Sequence, residues 1–148
     1  MKLYISEILD KFEEKKTRKE RVAYLKEHVK NDRLAFLMQG TFDPKVKWGI
    51  DITSIKLNWQ PDDAPMGMNP SNLYVELPKC SIFVKGHPRS KGLDPARQEA
   101  ILAQVLESMH AGESLLYEQM LQKKLKVKGL TSKIVLEVWP NLYKEKGA

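Results

Sequence analysis

The chain has two hydrophobic rhythms. Near its start, Ile5, Ile8, Leu9 and Phe12 fall at helical spacing, which predicts a helix over about 3–15. Thr17, followed three residues later by Glu20, forms the pattern of a capping box. It predicts a second helix over about 18–30 with Val22, Leu25 and Val29 inward. "NDRLAFLMQG" predicts a third, short helix, capped by Asn31 or Asp32 and ended by Gly40.

The rhythm then changes to period two. In "SIKLNW", Ile55, Leu57 and Trp59 alternate with Ser54, Lys56 and Asn58. "NLYVEL" repeats the alternation through Leu73, Val75 and Leu77, and "CSIFVK" is apolar almost throughout. These segments predict two or three strands in a small, mostly antiparallel sheet covered by helices. Six of the eight prolines and half of the eight glycines lie in 41–93, as strands and loops would require.

Helical spacing returns after Asp94 and Pro95, a cap followed by a first-turn proline. Ile101, Leu102, Val105, Leu106 and Met109 share one face there, and Gly112 in "HAGE" predicts a stop or hinge. A helix over about 113–125 follows, burying Leu116, Tyr117, Met120 and Leu121. Gly129 breaks the chain, and Thr131 caps a last helix with Ile134, Val135 and Val138 inward and Pro140 at its end. The expectation is one α+β domain over 1–148: helical at 1–40, strands and loops at 41–93, helical at 94–140, and a tail at 141–148.

Composition adds a compartment and a charge. The single cysteine, Cys80, rules out an intramolecular disulfide and suits a reducing compartment. No apolar run is long enough to span a membrane, and "MKLYISEILDKFEEKK" is too charged for the core of a signal peptide. A cytoplasmic protein is expected. The net charge of +6 favours an anionic partner.

Candidate chemistry is sparse. Asp43, Asp51, Asp62 and Asp63 are of a type that a metal or acid–base site could use, but Asp43 precedes Pro44, Asp62 and Asp63 lie in "QPDDAP", which is turn chemistry, and no histidine or glutamate stands nearby at ligand spacing. His28, His87 and His110 show no metal-ligand spacing. Cys80 lies in an apolar run and reads as packing. "KGHPRSKG" matches no phosphate-loop pattern; Lys85, Arg89 and Lys91 there suit a basic loop. No enzyme, cofactor or metal site is expected.

The basic clusters carry more. "KKTRKER" has five cations across a helix junction, partly offset by Glu13, Glu14 and Glu20. Lys123, Lys124, Lys126, Lys128 and Lys133 have no acid among them. Lys126 and Lys128 alternate with Leu125, Val127 and Leu130, which predicts an extended connector with a basic face. The last helix lacks the Arg, Asn or Gln that would read bases, so these five lysines point to backbone phosphates without sequence reading. Met66 and Met68, with Trp48, form a candidate protein-binding patch.

"MKLYISEILDKFEE", "LMQGTFDPKVKW", "QPDDAPMG" and "KKLKVKGLTSKIVLEVWPNL" together resemble a small protein family encoded by T4-like tailed phages. "FDPKVKW", "PDDAP" and "KGLT" are the sharpest pieces, and the likeness runs over nearly the whole chain. The resemblance implies a phage protein acting in the cytoplasm of the infected bacterium, or a minor virion component, and it assigns no catalytic residue. The expected role is a non-enzymatic accessory in phage DNA or RNA metabolism that touches phosphates and a phage or host protein. The alternative is a protein-binding factor without nucleic acid, a host-directed inhibitor or an assembly component.

Overall fold

The computed structural model describes residues 3–50, 59–85, 92 and 94–143. Among these residues seven α-helices form, in chain order: α1 (Ile5–Glu14), α2 (Arg18–Glu27), α3 (Asp32–Phe42), α4 (Leu73–Glu76), α5 (Pro95–Glu107), α6 (Ala111–Leu121) and α7 (Ser132–Val138). A 3-10 helix, Leu77–Phe83, continues directly from α4.

The expected α+β architecture is wrong, because the regular elements among the described residues are all helices and form no sheet. Among the described residues, extended pairing is confined to two isolated bridges, Trp48 with Val84 and Asp62 with His110. "NLYVEL" reads equally as alternation or as helix, and burial decides between them. Val75, an inward position on the strand reading, is 45% exposed, whereas Glu76 is buried. Leu73 and Leu77 are both buried, one helical turn apart. Asn72 fixes the start by accepting a hydrogen bond from the Val75 N–H at 3.3 Å.

"CSIFVK" falls for a related reason. Leu77, Cys80 and Phe83 are all buried and recur every third residue, the repeat of a 3-10 helix. Pro78 sits in its first turn, where a missing N–H costs nothing. The third strand, over 54–59, lies outside the described residues except for Trp59, which packs against the core.

The helix ends follow local chemistry. Thr17 Oγ1 accepts from Glu20 N at 3.1 Å, Asn31 Oδ1 from Leu34 N at 3.1 Å, Asp94 Oδ1 from Arg97 N at 2.7 Å and Thr131 Oγ1 from Ile134 N at 3.3 Å. Only half of the expected capping box forms. The Glu20 carboxylate accepts from Lys16 N, one residue short of the N-cap.

Helix α6 is the hub of the packing, with α1, α3 and α5 against it, while α2 packs on α1 and α7. One hydrophobic core runs through the molecule, from Ile5 and Phe12 in α1 to Val135 in α7. Gly40 does not end α3, as the sequence suggests, but lies inside it. A Cβ there would come 2.8 Å from Met120 Sδ and 3.1 Å from Trp48, so glycine serves the close approach of α3 to α6. Gly40→Ala is therefore expected to destabilise the fold by about 1–2 kcal/mol through overpacking, visible as a lower midpoint in urea with an unchanged slope.

Candidate basic surface

Helix α6 ends at Leu121, and Lys123 then takes φ 61°. That turn aims the Lys123 side chain inward. Its Nζ donates to the carbonyls of Asp43 at 2.6 Å and Val46 at 3.0 Å. Burial lowers the Lys123 pKa, and Asp43 partly offsets the effect. Lys123 thus fastens the loop after α3 to the end of α6. Lys123→Met, which keeps the stem and removes both bonds, should cost about 1–2 kcal/mol in thermal or urea unfolding. The same change at exposed Lys124 should stay within about 0.5 kcal/mol.

Beyond Lys124 the connector alternates. Leu125 and Val127 are buried, and Lys126 and Lys128 are exposed. The connector's backbone is held by α6 and α1: Lys126 N donates to Gln119 Oε1 at 3.0 Å, and Lys128 N to Glu13 Oε2 at 3.1 Å. Gly129 has φ +85°, and a Cβ there would lie 2.5 Å from the Arg21 guanidinium. The bare glycine lets Arg21 of α2 rest against the connector. Arg21 Nε is buried and has no hydrogen-bond partner. Arg18 of α2 pairs with Glu137 of α7, across an open groove of about 540 Å³ that Lys19, Val22, Ala23 and Lys26 also line.

The two basic stretches, about a hundred residues apart in the chain, therefore meet where Arg21 lies against Gly129. Residues 15–33 hold eight cations and three acids, and 123–133 hold five cations and no acid. Taken from totals of 25 and 19, the remainder has 12 cations against 16 acids. The whole positive surplus sits in these two segments.

The lysines are not equivalent. Lys123 is spent on the fold, Lys124, Lys128 and Lys133 face solvent, and Lys126 borders a cleft shared with Asp10 and Glu13. Burial raises the Asp10 pKa, with Glu13, Glu14 and Glu7 adding to the rise. Helix α1 thus sets acids beside Lys126 that the linear order hides. Lys19 of α2, expected only on a solvated helix face, and Lys26 line the groove.

The other candidates disperse. Trp48 donates its Nε1–H to the Gly40 carbonyl at 3.1 Å. Met68 is 74% exposed, and Met66 is half-buried beside Gly67, whose added Cβ would come 3.9 Å from the Tyr4 hydroxyl. Trp48 itself lies against Gly40 of α3. Asp43 makes the expected turn, accepting from Lys45 N at 2.9 Å. His28 caps the end of α2 and meets Tyr24 edge-on at 5.0 Å. His110 starts α6, and its Nδ1 accepts from Gly112 N at 3.3 Å. Gly112 is thus in the first turn of α6 and no stop. Asp51, His87, Arg89 and Lys91 lie outside the described residues. Among those described, no three His, Cys, Asp or Glu side chains converge to hold a metal ion, and no helix is long and apolar enough to cross a membrane.

One polar residue escaped sequence reading. Glu113 is 1% exposed. Its Oε2 accepts from Ser6 N of α1 at 2.8 Å, and its Oε1 from Leu73 N of α4 at 3.1 Å. It stands in the first turn of α6, so one carboxylate joins the beginnings of three helices. An acid at the start of a helix was legible in "HAGE", but its distant donors were not.

These features define a small helical protein with a basic surface where α2 meets the connector. A family model described as a family of unknown function, DUF6433, matches residues 8–127, and the chain belongs to that family. No curated protein matches it.

Proposed function

We propose that the protein is a non-enzymatic accessory factor of phage nucleic-acid metabolism that holds backbone phosphates on the face shared by α2, the connector and α7. The observation carrying this reading is the juxtaposition of the two cation-rich segments through Arg21 and Gly129. Lys19, Lys26, Lys128 and Lys133 are exposed on these segments, free to replace counterions along a phosphate chain. Lys124 is exposed beside them, Lys126 contributes less because Asp10 and Glu13 share its cleft, and Lys123 acts by holding the loop. Phosphate contact without base reading fits a surface of lysines. The phage setting, in the infected cell or the virion, rests on the sequence resemblance.

The test is fluorescence anisotropy with labelled single- and double-stranded DNA and RNA across a salt series. Binding should weaken steeply with salt, by about 0.7–0.9 in logarithmic slope per phosphate neutralised. Replacing Lys19, Lys26, Lys128 and Lys133 together with alanine should reduce that slope by about 3. Absence of binding at low salt, or an unchanged slope in the variant, removes the proposal.

A protein-binding factor without nucleic acid is the second reading, favoured by exposed Met68. Capture from infected-cell lysate after nuclease treatment distinguishes it, since a protein partner would survive the nuclease.

A further inference from the structure

A second surface lies away from the α2 groove. The bridge between Trp48 and Val84 is closed by Gly49 N donating to Phe83 O at 2.6 Å and Lys85 N to Lys47 O at 2.7 Å. It forms one wall of a cleft of about 300 Å³, whose other walls include Phe36, Val46, Pro78 and Cys80. The volume suits a single large side chain and lies at the lower end for a small-molecule pocket. Phe36 is 36% exposed at the cleft. Burial holds Cys80 in place, and the hydrogen bond to Gly40 holds Trp48.

The charge around the cleft is one-sided. Among the described residues, none of those lining it is acidic. Lys45 and Lys47 flank Val46, Lys79 lies between Pro78 and Cys80, and Lys85 follows Val84; all four lysines are exposed. Along the chain, no acid stands next to any lining residue. Buried Asp43 directs its carboxylate to Lys45 N and Gln39.

We infer that this cleft is a docking site for an acidic peptide segment of a partner protein, which inserts one large apolar side chain between Phe36 and Trp48 while its carboxylates meet Lys45, Lys47, Lys79 and Lys85. An apolar socket with exposed lysines next to its lining residues in the chain combines an anchor with electrostatic steering, the arrangement that gives a short segment both affinity and orientation. The site is independent of the phosphate-binding reading. It gives Trp48 an interface role without Met66 or Met68.

The test uses a fluorescein-labelled peptide of glutamates around one central phenylalanine, titrated with the full chain at low salt. Exposed positions serve for the variants, and a thermal melt confirms that each folds. Phe36→Ser and Lys79→Glu should each weaken binding about tenfold, as should alanine in place of the peptide's phenylalanine. Lys19→Glu, on the α2 groove, should leave binding within about twofold. No binding at low salt would overturn the inference. So would equal affinity for the alanine peptide, or sensitivity to Lys19→Glu with none to Lys79→Glu. If the chain instead self-associates and Phe36→Ser returns it to monomer, the cleft belongs to a second copy, which also overturns it.

Discussion

Glu113→Ala is expected to lower the melting temperature by about 10 °C. The substitution strands two backbone N–H groups, Ser6 N and Leu73 N, that the carboxylate now accepts at 2.8 and 3.1 Å. A buried donor left without an acceptor costs about 1–3 kcal/mol. Two such losses, with the space vacated by the side chain, come to roughly 3–5 kcal/mol. At about 2–4 °C per kcal/mol for a chain near this length, the shift follows. Glu113→Gln separates hydrogen bonding from volume. It keeps the shape but turns an NH2 group toward one of the two donors, so about half of the loss should remain. Both variants are read by circular dichroism against urea and temperature. If Glu113→Ala melts within about 2 °C of the unaltered chain, the carboxylate is not the joint between α1, α4 and α6.

The second large effect concerns Cys80. Its side chain is 1% exposed, and burial pushes the thiol pKa up from 9.0 to about 12. At pH 8 an unfolded thiol would be about a tenth thiolate, and the folded one about a thousand times less. Iodoacetamide should therefore label the folded chain at least ~1000-fold more slowly than the chain unfolded in guanidinium. The linkage has a definite sign. The raised pKa means that the folded state keeps its proton between pH 9 and 12 while the unfolded state releases it. Stability from this group is fully present below pH 9, then falls by roughly 1.4 kcal/mol per pH unit toward pH 12. Cys80→Ala should flatten that alkaline decline even though it lowers stability at neutral pH. A native labelling rate within tenfold of the unfolded rate would contradict the burial from which both expectations come.

The Cys80 thiol also shows how the sheet came to be expected. Its burial was legible from the apolar run around it, and the structure agrees. Its secondary structure was not. A short apolar run supports a strand, an α-helix or a 3-10 turn equally, because each can bury it. Long, well-capped segments fared differently. Asp94 with Pro95, Thr131 before Ile134, and Thr17 before α2 all start helices where local chemistry places them. Gly129 breaks the chain as expected, with a positive φ.

Gly40 and the lysines mark the boundary of such reading. A glycine near the end of a helical pattern looks like a stop, yet Gly40 is inside α3 because Met120 and Trp48 need its missing side chain. Lys123 looks like one of five equivalent surface cations, yet its ammonium belongs to the carbonyls of Asp43 and Val46. Lys126 looks free of acids until α1 brings Asp10 and Glu13 alongside.

What the linear order settled was local: where most helices begin, which residues become their apolar faces, and that positive charge collects around 15–21 and 123–133. These depend on capping, periodicity and charge between near neighbours, forces that act over a few residues. Packing decided the rest. It made residues 73–83 helical, set Glu113 between three helix starts, and laid Arg21 of α2 against the connector. Those outcomes turn on which distant groups meet, such as Glu113 with Leu73 or Arg21 with Gly129, and spacing along the chain does not encode that encounter.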